Sequence, residues 1–125
     1  MPPLLLVMLG GAIGAGFRYH VSTMALRFMG PGFPWGTWII NLLGGFLMGV
    51  LAGVLARSSE GGEQLRLFLG VGVLGGFTTF SAFSLETFNM LQRGEPVMAV
   101  AYAVSSVTGS VLMLIGGVYM VRALA

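Results

Sequence analysis

Residues 75–84 read Gly-Gly-Phe-Thr-Thr-Phe-Ser-Ala-Phe-Ser, and this run holds the most chemically specific groups of the chain. Two adjacent glycines weaken a helix by roughly 1 kcal/mol each relative to alanine. Thr78 and Thr79 follow them with β-branched side chains whose hydroxyls compete for backbone groups. A helix passing through this stretch is therefore expected to break near Gly75–Thr79. At membrane depth a break frees carbonyls and amides that hydrocarbon cannot pair, so it survives only where it is buried in protein, lines a watery cavity or holds an ion. The carbonyls from Gly75 to Thr78, with no carboxylate near them in sequence, suit a weakly held monovalent cation better than calcium or magnesium, which take carboxylates. The alternative is a glycine kink satisfied by neighbouring helices.

Just beyond, Phe80 and Phe83 share a helix face, and Phe77 extends the stripe. Such a stripe packs in a core, faces lipid, or turns its ring edges, which carry partial positive charge, toward an anion. Asn41 is a polar residue inside an otherwise apolar run, and at that depth polar side chains face an interior. Tyr102, Ser106 and Ser110 fall at i, i+4 and i+8, covering about 12 Å of one helix face. They form either a ladder for a dehydrating ion or a set of interhelical hydrogen bonds worth roughly 0.6 kcal/mol each. Arg18 lies about 21 Å along the first span from Leu4; it either snorkels to the interface or holds an anion near a pore mouth. Glu86 is expected to be exposed or paired with an arginine, and His20 to be interfacial.

The elements that must position these residues are membrane helices. Of 125 residues, 56% are hydrophobic and only 8% are charged, against roughly 25% charged in soluble domains. An all-α integral membrane protein with four transmembrane helices is expected, one membrane domain over 1–125. The spans run at about 4–28, 35–56, 64–92 (the broken one) and 97–121, each long enough to cross a bilayer. Between them stand Gly30-Pro31-Gly32-Phe33-Pro34, the polar stretch from Arg57 to Glu63, which reads as a surface loop, and Arg93-Gly94-Glu95-Pro96. The N-terminal apolar run has no basic residue before it and reads as the first span rather than a cleaved signal peptide.

Glycines recur four apart at Gly10 and Gly14, at Gly45, Gly49 and Gly53, and at Gly72 and Gly76, a spacing that lets helix backbones approach closely in lipid. The arginines are nearly balanced: Arg57, Arg66 and Arg122 fall on the side of the termini, Arg27 and Arg93 with Arg18 within reach on the other. With no Lys/Arg bias to set orientation, the chain is expected to insert both ways, which permits an antiparallel homodimer.

Several function classes fall away. Cysteine is absent, and His20, Glu60, Glu63, Glu86 and Glu95 are spread singly, so no acid–base pair or metal cluster is visible and an enzyme is not expected. The basic residues are scattered arginines with no patch for nucleic acid. Gly70 to Gly75 matches G-x-G-x-x-G, but inside an apolar span it lacks the strand and helix a dinucleotide site needs.

Three stretches in order carry a resemblance: Gly10-Gly-Ala-Ile-Gly14-Ala-Gly-Phe-Arg18-Tyr19, Gly36-Thr37-Trp-Ile-Ile-Asn41-Leu-Leu-Gly44, and the run from Gly75 to Ser84. Over essentially its whole length the chain resembles the fluoride channel family (Fluc, also called CrcB), small four-span proteins that export fluoride from microbial cells. The resemblance implies a dual-topology antiparallel homodimer in the cell inner membrane, with two pores at its interface and a central structural sodium ion that is not transported. It implies that backbone carbonyls of Gly75 and Thr78 from both subunits hold the sodium. It further implies that Phe80 and Phe83 line the fluoride path, Asn41 donates to it, and Tyr102, Ser106 and Ser110 form a polar track. Ser81 and Ser84 of the same motif join that pathway, and Arg18 stands at the vestibule. Ala82 replaces the threonine of many members. A proton-coupled small multidrug transporter, also four-span, is the alternative, but it needs a buried carboxylate in its first span and 4–28 contains none. A structural or assembly subunit without transport is a third reading, in which the polar face of the last span serves packing alone.

Overall fold

In the computed structural model, which describes residues 1–57 and 62–124, every element is helical. The central part of the expected surface loop, Ser58 to Gly61, lies outside the described residues. The elements are α1 (Pro3–Met29), α2 (Trp35–Arg57), α3 (residues 62–77), α4 (Ser81–Gln92) and α5 (Pro96–Leu124). Four stretches are long and apolar enough to cross a membrane: Pro3–Met29, Trp35–Arg57, Gly62–Gln92 and Pro96–Leu124. Each matches an expected span with its ends shifted by at most three residues.

The helix ends follow from local chemistry. Pro3 opens α1 and Pro96 opens α5, at positions whose amides have no intrahelical acceptor. Gly30 closes α1 at φ 79°, its N–H bonded to the Leu26 carbonyl at 3.0 Å, a conformation that costs other residues. Gly94 (φ 76°) does the same work after α4, where the Glu95 amide returns to the Met90 carbonyl at 2.9 Å.

Within α3, Arg66–Leu74 is wound as a π-helix, a wider form than the regular span expected. This segment lies on α1, backbone against backbone: a Cβ on Gly10 would stand 2.5 Å from the Phe68 carbonyl oxygen, and one on Gly14 would overlap that of Val73. On the other side α2 packs on α5 in the same manner, with Gly49 over the Leu114 carbonyl. Hydrocarbon supplies little drive for helix association, so these close approaches hold the spans together. Gly49→Ala is therefore expected to cost ~1–3 kcal/mol, read as a lowered unfolding midpoint in detergent. Gly16→Ala, with nothing within 4 Å of its new methyl, should leave the midpoint unchanged or raise it.

Where α2, α4 and α5 meet, Tyr102, Ile40 and Met90 are fully enclosed. Met90, Ala99 and Tyr102 form the core there, with Phe33, Trp38 and Phe83 packed around them. The outer faces keep large apolar residues exposed, among them Leu4, Met8, Phe28, Val104 and Leu112. That is the surface of helices whose solvent is hydrocarbon.

Candidate functional site

Thr78, Thr79 and Phe80 lie outside the helices. Within the stretch expected to break, Gly75 and Gly76 are themselves helical, and Thr78 is where the backbone turns extended, at φ −78° and ψ 157°. The threonines organise the transition. Thr78 spends both its N–H and its hydroxyl on the Leu74 carbonyl, each at 3.0 Å. Thr79 caps α4, its Oγ1 accepting the Ala82 amide at 3.2 Å. Asn41, reaching across from α2, pairs with the Thr79 backbone in both directions. The Thr79 N–H donates to Oδ1 at 3.1 Å, and Nδ2 donates to the Thr79 carbonyl at 3.2 Å. Arg18, from α1, donates through Nε to the Gly76 carbonyl at 3.1 Å. The carbonyls of Gly75 and Thr78 accept nothing from a described residue.

Beside this segment a cavity of about 410 Å³ opens on the surface of the chain, its wall including Asn41, Thr79, Phe80, Phe83, Ser106 and Ser110. Four different elements or joints thus bring the predicted residues to one place. The rings of Phe80 and Phe83 stand 5.6 Å apart, centroid to centroid, and Phe80 is 78% exposed. Phe77 does not extend their stripe: it is buried, because the extended Thr78 resets the phase of the helix that follows. Ser110 Oγ donates to the Asn41 carbonyl at 3.1 Å. Ser106 Oγ is buried in the cavity wall and has no hydrogen-bond partner among the described residues. Leaving a buried hydroxyl unpaired costs ~1–3 kcal/mol.

Residues 5–118 match the family described as CrcB-like protein, Camphor Resistance (CrcB). The chain belongs to the CrcB-like family. It is 51% identical over 124 residues, 99% of its own length and 98% of the other's, to a protein of Sphingopyxis alaskensis named fluoride-specific ion channel FluC. Proteins of the same name from Novosphingobium aromaticivorans and Phenylobacterium zucineum are 56% and 54% identical, over at least 95% of each chain. With four apolar helices of spanning length, this CrcB-like chain is a multi-pass membrane protein.

The other predicted residues of the CrcB-like chain sit apart from the cavity. Tyr102 is enclosed rather than lining it, and its hydroxyl donates to Glu86 Oε1 at 3.3 Å. Glu86 is accordingly neither exposed nor arginine-paired. It is half-buried beside Tyr102 and the buried Thr37, while the carboxylate–arginine pairs among the described residues are Glu63–Arg66 and Glu95–Arg93. The burial arises because α4 lays that face on α5. Arg18 sits on a backbone carbonyl and is not in the cavity wall. Ser81 and Ser84 are exposed on α4, Ser81 Oγ lying 3.4 Å from Thr79 Oγ1. His20 is exposed.

Sequence reasoning expected the Thr79 hydroxyl to compete for backbone groups but missed that it receives the Ala82 amide and joins the cavity wall. It also missed Phe33, whose ring meets Tyr102 edge-on at 5.3 Å, and Trp38, whose indole donates to Ser105 Oγ at 3.0 Å. Neither carries a local signal.

Proposed function

We propose that the chain is a passive, fluoride-selective channel of the cell inner membrane, with its third span broken in mid-membrane, that exports fluoride and relieves its toxicity. The observation that carries the reading is the cavity. It gathers Asn41, Phe80, Phe83, Ser106 and Ser110 in a wall with no formally charged residue, and the relatives are named for a fluoride-specific channel. Fluoride is small and strongly hydrated, so its water must be replaced by several modest partners. Ser106 offers an unspent hydroxyl. Asn41 uses one amide proton on Thr79 and keeps a second. Phe80 and Phe83 offer ring edges. A fixed cation in the wall would hold the anion too tightly, since conduction needs weak, repeated sites. Tyr102, Ser81 and Ser84 extend the path beyond the cavity, and Arg18 stands toward its vestibule. The direction follows from chemistry: fluoride enters as the neutral acid and ionises at neutral internal pH.

The working unit in this reading is an antiparallel, dual-topology homodimer. The cavity, Phe80 and Gly75 all lie on an exposed face of one chain, where bare carbonyls at membrane depth would be costly, and a second copy would cover them. The Gly75 and Thr78 carbonyls, left without hydrogen bonds, fit a hard monovalent cation. A structural sodium ion (Na+) held there by both subunits would neutralise their dipoles and tie the copies together.

Proteoliposomes loaded with fluoride or chloride, followed with ion-selective electrodes, test the reading. Release of fluoride but not chloride is expected without a proton gradient. Release that requires a proton gradient would indicate the multidrug-type transporter. No release from correctly inserted protein would indicate an assembly subunit.

A further inference from the structure

The carbonyls from Gly75 to Thr79 in the third span form a pattern. The carbonyls of Gly76 and Thr79 are each tied to another helix, the first to Arg18 Nε at 3.1 Å and the second to Asn41 Nδ2 at 3.2 Å. Those of Gly75 and Thr78, each one residue earlier, accept nothing from a described residue. The Phe77 carbonyl between them is likewise untied, so the two tied carbonyls bracket the free ones at Phe77 and Thr78, and every free one has a fixed neighbour.

In an uninterrupted helix the Gly76 carbonyl would accept the amide of Phe80. Phe80 stands outside the helix, and Arg18 supplies the missing donor from α1. Its guanidinium is part-buried, and among the described residues it pairs with no carboxylate, so the backbone carbonyl is its protein partner. Without that donor the Gly76 carbonyl would be bare at membrane depth. The peptide would then rotate, or the helix re-form through residues 78–80, to relieve it. Either movement re-aims the Gly75 carbonyl next door.

We propose that Arg18 is a positioning residue for the carbonyl cation site, holding the Gly76 peptide so that the Gly75 and Thr78 carbonyls stay turned toward the ion. The proposal rests on the reading of a cation at those two carbonyls. It goes beyond a role for Arg18 at the vestibule, where only its charge would matter, and the sign of its effect separates the two. A guanidinium near a cation site repels the ion, so removing the charge should tighten cation binding if charge is what counts. If the hydrogen bond counts, removing or misplacing the donor loosens it. Lysine keeps the charge but replaces a planar, preorganised donor with a point charge on a flexible stem.

The test is thermal unfolding of the purified full chain in detergent across a sodium series, with N-methylglucamine holding the ionic strength constant. Wild type, Arg18→Lys and Arg18→Met are compared. The wild-type midpoint should rise with sodium. Both variants should need about tenfold more sodium for half of that rise, the equivalent of ~1.4 kcal/mol, one net hydrogen bond. Fluoride release by Arg18→Lys should recover at high sodium. Variants with an unchanged sodium requirement, or Arg18→Met shifted to lower sodium, would overturn the role of Arg18 alone. A wild type indifferent to sodium would overturn the cation site itself, and this role with it. Should Arg18→Met not fold, Arg18→Lys carries the comparison.

Discussion

Phe80→Ile is expected to slow fluoride release from proteoliposomes by roughly one to two orders of magnitude while the chain keeps its assembly state. The ring is 78% exposed on a single chain, so its replacement by another apolar side chain opens no cavity in the core, and stability should stay within about 0.5 kcal/mol of wild type. What is lost is the electropositive ring edge on the wall shared with Asn41, Phe83 and Ser106. A hydrogen bond to a charged group is worth ~1.5–3 kcal/mol. If the edge serves the anion to a comparable degree, its removal slows passage by roughly 10- to 150-fold, at 1.36 kcal/mol per factor of ten. Phe83→Ile makes a useful contrast. Its ring packs on Tyr102 at 5.1 Å between centroids, so flux and stability should both fall. Release from Phe80→Ile at the wild-type rate would remove the ring from the pathway. Loss of assembly with loss of flux would make Phe80 a packing residue at the subunit boundary.

The contrast between the two phenylalanines shows what periodicity could and could not supply. Four spans were legible because apolar runs, the Gly30–Pro34 turn and Gly94-Glu95-Pro96 leave few other ways to divide the chain. The glycine spacing likewise anticipated how α1 meets α3 and α2 meets α5, because backbone contact in lipid depends on small residues. The same glycines misled at Gly75 and Gly76, which looked like flexible points. Gly76 instead is helical, and a Cβ there would stand 2.6 Å from the Gly11 carbonyl oxygen, so its smallness serves packing. The transition moved to the threonines, and the extended Thr78 put Phe77 on a different face from Phe80. Pairings made across the fold left no trace in spacing. Arg18 meets a carbonyl 58 residues away, Asn41 meets Thr79 at a separation of 38, and Glu86 meets Tyr102 at 16. Each depends on how one helix lies on another. The cavity is the sum of such placements, so its members could be named singly from sequence but not brought together. The identity of the anion came from the resemblance, since ring edges and hydroxyls do not by themselves distinguish fluoride.

Asn41 is the residue in which these roles meet, and two substitutions separate them. In Asn41→Leu the side chain keeps its approximate size but loses both bonds to Thr79, the amide at 3.1 Å and the carbonyl at 3.2 Å. Each orphaned backbone group costs ~1–3 kcal/mol, so stability should fall by about 2–6 kcal/mol and flux should vanish. That result alone would not distinguish a broken pathway from a collapsed segment. Asn41→Asp does. A carboxylate can still accept the Thr79 amide, so half of the pairing survives and stability should fall less than in the leucine variant. The negative charge, however, would face the cavity from a wall that otherwise carries none. At 4 Å and an effective dielectric constant of about 20, it would oppose fluoride by ~4 kcal/mol, roughly a thousandfold in rate. Thermal unfolding read beside fluoride release should therefore place Asn41→Asp nearer to wild type in stability and beside Asn41→Leu in flux. Fluoride release within tenfold of wild type from Asn41→Asp would mean that the anion does not pass this wall. Asn41 would then be a strut for Thr79 and nothing more.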